Sequence, residues 1–215
     1  LLGINHFTNP NDIDNQKYFN SLVILNHTLQ ILSVYNKINL VPFGEFLPFE
    51  KTLSKFGMKK ITHGYNSFSS GGERKIINLG VKFNEKSIFP LICYEIIYPG
   101  KIKKKDQFPD LVINISEDAW FGQSIGPYQH FTKAVYRSIE EGVFIARSAN
   151  KGISAFINPN GKVIKSLETG ESGNIHLNFP YFNRATLFSN YGNKIFFLII
   201  LLYIFLTLIF KKLKI

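Results

Sequence analysis

Several residue types are scarce in this chain of 215 residues, and each shortage closes a class of explanations. Cys93 is the sole cysteine, so no disulfide framework holds the fold. His6, His27, His63, His130 and His176 sit in unrelated contexts and never pair at a metal-ligand spacing, so neither a metal nor another cofactor is expected. Arginine supplies only four of the 25 basic residues. The lysines are mostly scattered among Asn and Ile, with one cluster at Lys101, Lys103, Lys104 and Lys105. Proteins that read nucleic acid favour Arg forks or basic stripes. The formal net charge of +10 therefore reads as a Lys/Asn/Ile coding bias with no nucleic-acid partner. Part of it suits an anionic membrane surface. Carboxylates are scarce early in the chain, where Asp12 and Asp14 are the only ones before Glu45. What is plentiful is apolar: 45% hydrophobic residues with 21 Phe and 10 Tyr exclude a disordered chain.

That apolar content falls into two unlike parts, expected as a domain over 1–190 and a membrane helix over 191–215. Residues 195–210, IFFLIILLYIFLTLIF, carry no charge. As a helix they span about 24 Å, close to a hydrocarbon core of roughly 30 Å once flanking residues are added. A buried core helix is the competing account, but such helices are rarely apolar on every face. Lys211, Lys212 and Lys214 outweigh Lys194 on the other flank, which orients the C-terminus toward the cytoplasm. The preceding domain then lies outside the inner face. Because no signal sequence is visible and the first residue is Leu1, a preceding segment is expected to have exported it.

Short strand-like runs dominate the first part. LLGINHF (1–7) and YFNSLVIL (18–25) flank the turn-like NPNDIDN, and LQILSVYN (29–36) follows. IINLGVKF (76–83) and SIFPLICY (87–94) suit a strand pair, although Pro90 argues against a central position for the second. DLVINIS (110–116) reads as a buried strand. From Pro127 a helix is predicted, with Tyr128, Phe131, Val135 and Ile139 as its apolar stripe. GISAFINPNGKVIKSL (152–167) is a hairpin turning at Asn158–Gly161. Together these point to a layered α/β domain. Residues 46–72 mix Phe and Leu with Lys51, Lys55, Lys59 and Lys60. They read either as a surface excursion or as a basic amphipathic flap at a membrane or over a site.

Cys93 closes an apolar strand just before a turn. A thiol in that position is exposed, and the backbone N–H groups behind it can hold an oxyanion. The bland alternative is a small buried hydrophobe. Lys37 and Glu45 stand either side of a Pro-Phe-Gly turn, each explicable alone as a solvated charge.

In combination these segments carry a resemblance. Tyr35-Asn36-Lys37, Leu40-Val41-Pro42-Phe43-Gly44-Glu45 with Pro48, and Ile92-Cys93-Tyr94-Glu95 resemble the nitrilase, or carbon–nitrogen hydrolase, superfamily. Asp118-Ala119-Trp120-Phe121-Gly122, Ser124-Ile125-Gly126-Pro127 and Gln129-His130-Phe131 are similar to its apolipoprotein N-acyltransferase family, enzymes of the bacterial inner membrane. The resemblance implies an α/β fold, the nitrilase-like αββα sandwich, incomplete at its N-terminal side and followed by one transmembrane helix. It implies a catalytic part on the periplasmic side of that membrane. Cys93 maps onto the family nucleophile, Lys37 onto its Lys and Glu45 onto its second Glu. Tyr94 and Glu95 map onto the residues after the nucleophile.

The implied partners are a phospholipid acyl donor and a diacylglyceryl-apolipoprotein acceptor, joined through a Cys93 thioester. Lys37 and the Tyr94 N–H would hold the oxyanion, and Glu45 would hold Lys37. Phe46, Leu47, Trp120 and Phe121 suit an apolar lining, with an aromatic core as the simpler account of the last pair. Asn114 and Ser116 would shape the pocket floor. Glu117 stands where the family more often has Asn. The family's general-base Glu, carried on an earlier strand, has no counterpart here, so a fragment or half of a split enzyme is expected. Two other classes stay open: a membrane-tethered amidase, and a non-catalytic anchored remnant.

Overall fold

The computed structural model describes residues 1–8, 16–60, 67–80, 85–100, 102, 107–178 and 185–212. The NPNDIDN turn, residues 81–84, the cluster from Lys101 to Lys105 and Lys214 lie outside the described residues. Two sheets form the frame. The first is an antiparallel meander of β1 (Leu2–Phe7), β2 (Tyr18–Leu25) and β3 (Ile31–Asn36). The short helix α1 (Glu50–Leu53) and a 3₁₀ turn at Ser54–Phe56 follow.

The second sheet has six strands in sequence order: β4 (Ile77–Asn78), β5 (Ser87–Ile92), β6 (Leu111–Glu117), β7 (Phe144–Asn150), β8 (Ser154–Ile157) and β9 (Val163–Leu167). Its β5, β6 and β7 run parallel and the outer pairs antiparallel. Helix α2 (Gly126–Glu141) crosses from β6 to β7, as parallel neighbours require. The short α3 (Leu187–Tyr191) leads to α4 (Lys194–Lys212).

Burial explains the layering. All six residues of β5 are buried, because apolar material covers both faces. On one face Leu22, Ile24 and Tyr35 of the first sheet pack against Ile77, Ile88 and Ile92 of the second. On the other, Phe89, Leu91, Val112 and Ile145 pack against Ala134 of α2. The order is therefore sheet, sheet, helix. Pro90 sits well inside this frame: β4 pairs only with Ser87 and Ile88, so at Pro90 the strand has a ladder neighbour on the β6 side alone. The expectation against a central position is corrected accordingly. The hairpin turns where predicted, with Gly161 at φ 79° and Asn158 Oδ1 accepting from the amides of Asn160 and Lys162, each at 3.0 Å.

The predicted face of α2 is also corrected. Phe131 and Val135 pack against the core, but Tyr128 and Ile139 are exposed. The buried face carries His130, Ala134, Arg137, Ser138 and Glu141 instead. Polar anchoring decides it: Arg137 donates to the carbonyls of Ile96 and Ile97 at 3.1 and 3.2 Å, and Glu141 accepts from the Gly100 amide at 2.9 Å. β7, which hydropathy alone did not single out, is the strand that this helix delivers to the sheet.

Helix α4 has no buried residue and is long and apolar enough to cross a membrane. Of the 46–72 excursion, Leu47 is buried as an anchor while Phe49, Phe56 and Met58 are exposed. Its return limb is tied down where the Phe68 amide donates to the Glu45 carbonyl at 2.8 Å.

Candidate active site

The site is built at the end of β5. Cys93 opens a 3₁₀ turn, Cys93–Ile97, with φ 51°, a left-handed conformation that a residue with a Cβ seldom takes. Such a backbone costs on the order of 1–3 kcal/mol and persists only where its surroundings fix it. Here they do. The Glu95 carboxylate accepts from the Ile92 amide at 2.9 Å, Arg137 holds the carbonyls at the far end of the turn, and His130 Nε2 lies 3.3 Å from the Cys93 carbonyl.

Glu95 also reaches across to the first sheet. It accepts from the Tyr35 hydroxyl at 2.9 and 3.0 Å and from the amides of Ile38 and Asn39 at 2.9 and 3.1 Å. The segment holding Lys37 and the turn holding Cys93 are thereby pinned to one buried carboxylate. Desolvation by burial, followed by the neighbouring Glu95 charge, pushes the Tyr35 hydroxyl far up, so it remains a donor.

Lys37 is 1% exposed, and its Nζ donates to Glu45 Oε2 at 2.7 Å. A buried ammonium needs such a partner. Glu45 is held in turn by the Val41 amide at 2.8 Å on Oε2 and by Asn20 Nδ2 at 3.0 Å on Oε1. The Pro-Phe-Gly turn folds the chain back so that a residue eight positions on meets Lys37.

Lys37, Glu45, Cys93, Tyr94, Trp120 and Phe121 line one cavity of about 490 Å³, together with Asn20 and His130. Trp120 and Phe121 are 63% and 40% exposed, so they form its rim and not a core. An adjoining cavity of about 680 Å³ shares Asn20, Glu45, Glu117 and Trp120 with it and is lined by Ser116.

Three expected lining residues, and the substrate-binding candidate Glu95, lie elsewhere. Glu95 is the buried strut just described. Asn114 is fully buried beneath the site, donating to the Leu91 carbonyl at 3.1 Å and accepting from Arg147. Leu47 is in the core, and Phe46 does not line the cavity.

Below the Cys93 turn lies a polar group that hydropathy and spacing do not single out. Asp118 accepts from Arg147 Nη2 at 2.6 Å and from Ser116 Oγ at 2.6 Å, and faces His130 Nδ1 at 2.9 Å. Burial alone would raise the Asp118 carboxyl, but His130, Arg147 and Ser116 outweigh it and hold the group below its ordinary value. The one available signal was Gln129-His130 a turn inside a helix, and the apolar stripe drew attention to the wrong face. For the Glu45 partner, the quiet signal was Asn20, next to Ser21 in a strand of mostly apolar residues. Among the described residues no cluster of His, Cys, Asp or Glu could hold a metal ion.

A strand-borne thiol at a left-handed turn, a Lys–Glu ion pair and parallel central strands meet in one α/β scaffold. The chain belongs to the carbon–nitrogen hydrolase family, which it matches over residues 1–178. It is 38% identical over 175 residues to the apolipoprotein N-acyltransferase of Bradyrhizobium diazoefficiens, covering 81% of this chain and 32% of that protein. Its identity to the enzyme of the same name from Rickettsia prowazekii is 36% over 210 residues, covering 93% and 41%. The chain thus spans about a third to two-fifths of the length of these relatives. The fold matches a mutant amidase from Nesterenkonia sp. AN1, which carries an acetamide moiety on its active-site cysteine. That match has a TM-score of 0.51 at 16% identity, over 78% of this chain and 57% of that one.

Proposed function

We propose that the chain carries the nucleophile side of an apolipoprotein N-acyltransferase site in the bacterial inner membrane, with its catalytic part facing the periplasm. One observation carries the reading: Cys93, Lys37 and Glu45 line a single cavity whose rim is exposed Trp120 and Phe121. The names of the relatives supply the reaction. A lipid donor needs an apolar entrance, and a membrane-spanning α4 would hold that entrance near its substrates.

In this reading the Cys93 thiolate attacks the ester carbonyl of a phospholipid, and the carbonyl electrons move onto oxygen. The Lys37 ammonium and the Tyr94 N–H face the resulting oxyanion. Collapse expels the glycerol oxygen, which takes a proton, leaving a lysophospholipid and a Cys93 thioester. The amine of a diacylglyceryl-cysteine then attacks the thioester, loses a proton and becomes an amide as the thiolate departs. A thioester is an activated acyl group, so one hard transfer becomes two easier ones.

The proton acceptor is the weak point. Among the described residues the carboxylates lining the cavity are Glu45 and Glu117. Glu45 is engaged by Lys37, Val41 and Asn20, and Glu117 by the Ala119 amide at 3.1 Å and Asn150 Nδ2 at 2.8 Å. General-base catalysis contributes roughly 10²–10⁴-fold, so acylation should be slow while both of these carboxylates stay engaged.

The test is acylation of Cys93 by phosphatidylethanolamine vesicles, read by intact mass, with and without the N-terminal portion of a longer relative. Slow thioester formation that accelerates on addition supports the reading, with Lys37→Met abolishing it. Hydrolysis of small amides without any lipid donor, and no acylation in either arm, would sink it in favour of an amidase.

A further inference from the structure

The polar group beneath the nucleophile has a specific geometry. His130 stands on the buried face of α2 with its two ring nitrogens in unlike surroundings. Nε2 lies 3.3 Å from the Cys93 carbonyl, an oxygen that only accepts, so Nε2 carries a hydrogen. Nδ1 lies 2.9 Å from Asp118 Oδ1 and 3.3 Å from Arg147 Nη2. A proton on Nδ1 is donated to Asp118. Without that proton, Nδ1 accepts from Arg147. Both arrangements leave the Nε2–H on the Cys93 carbonyl, so the ring can change charge without releasing the turn.

We propose that His130 is a positioning residue for Cys93: it fixes the left-handed turn through the main-chain carbonyl and puts a titratable ring on the cavity that Cys93 lines. Asp118 and Arg147 aim the ring. Arg147 Nη2 donates to Asp118 Oδ2 at 2.6 Å, Ser116 Oγ donates to Oδ1 at 2.6 Å, and Arg147 and Asp118 are both buried. The Phe121 ring meets the imidazole at 5.7 Å in a T-shaped contact on the cavity side. Lys133, one turn along the same helix, lines the same cavity, and Lys37, Glu45 and Glu117 line it further round.

The role rests on the reading of Cys93 as the nucleophile, but its test does not need the acyltransferase reaction. Cys93 is the only thiol, so alkylation of the full chain by iodoacetamide reports on that residue alone. Rate constants are measured at pH 7 and pH 10 for the wild type, His130→Gln and His130→Phe. Gln keeps a donor for the carbonyl and loses the charge. It should alkylate roughly three- to tenfold more slowly than wild type at pH 7 and within about twofold of it at pH 10. Phe loses the carbonyl bond as well and should differ from wild type at both pH values.

Equal rates for Gln and wild type at pH 7 would overturn the charge assignment. Equal rates for Gln and Phe throughout would overturn the carbonyl contact. Where the variants do not fold, ¹⁵N-labelled histidine in the wild type decides. One of the five rings must keep its Nε2 proton across the titration while Nδ1 alone changes, and the absence of such a ring overturns the proposal.

Discussion

The Tyr35 hydroxyl donates to both oxygens of the Glu95 carboxylate, at 2.9 and 3.0 Å, across 60 residues of sequence. This bond ties β3 to the turn after β5, and therefore Lys37, two residues past Tyr35, to Cys93, two residues before Glu95. Hydrogen bonds to a buried charge are worth about 1.5–3 kcal/mol each. Tyr35→Phe should lower stability by that amount and leave the three amide donors to hold Glu95. Glu95→Ala removes the acceptor of four donors and should cost more than Tyr35→Phe. Urea melts of the two variants check the order, and a smaller loss for Glu95→Ala would refute the strut role.

How much of this could be read from residues alone differs from place to place. The strands at 18–25 and 87–92 and the hairpin at 154–167 announce themselves by apolar runs and turn residues. So does the helix at 194–212, where length and hydropathy suffice. The Lys37, Glu45 and Cys93 positions were legible only as motif fragments, because nothing in spacing says that a Lys and a Glu either side of a Pro-Phe-Gly turn form an ion pair. Glu95 and Asn114 were misplaced for a related reason: a polar residue near a nucleophile looks like a wall of the pocket. Whether it faces the substrate or the core depends on the amides that happen to surround it, and those come from Ile38, Asn39 and Ile92. Arg147 was invisible because buried polar pairs follow no periodicity, and His130 was legible only as part of the Gln129-His130-Phe131 motif, with no role attached.

Trp120 offers a clean separation of function from stability. It is 63% exposed on the cavity rim, so little apolar area is lost from the core on truncation. Exposed substitutions of this kind change stability by about 0.5 kcal/mol or less. Trp120→Ala should melt with the wild type yet acylate Cys93 more slowly from vesicles, while its alkylation by iodoacetamide stays unchanged. A parallel loss in both reactions would show that Trp120 supports the thiol and not lipid entry.

Acidification should cost stability through Asp118. Its carboxyl is held below the ordinary value of 3.8, so the folded state prefers the charged form. The sign follows from linkage: this stabilisation is present in full above the unfolded value and is lost as pH falls through the folded one. Wild type should therefore lose stability progressively below about pH 4, by the reference carboxyl values. Asp118→Asn should be less stable at pH 7, because Arg147 is then buried without its charge partner, and should have a flatter acid limb. Thermal melts from pH 3 to 7 test both slopes. An acid limb as steep as that of the wild type would remove Asp118 as its source.

Glu141 should behave in the opposite sense. Its carboxyl is 1% exposed on the inner face of α2, and desolvation raises it above 4.5 despite the Gly100 amide and Arg137, which act the other way. Between the unfolded and folded values the native state binds more protons, so stability falls as pH rises through that window. Once pH exceeds the folded value the penalty is complete and constant. Glu141→Gln removes the ionisation while keeping an oxygen for the Gly100 amide. It should melt higher than wild type at pH 8, by about 2–4 °C for each 1 kcal/mol relieved in a chain of this size. Near pH 4 the wild-type carboxyl is neutral and the advantage should vanish. Melts at the two pH values decide the matter: an equal difference at both would mean that Gln acts through packing, and that the helix pays no charge penalty for anchoring the turn that follows β5.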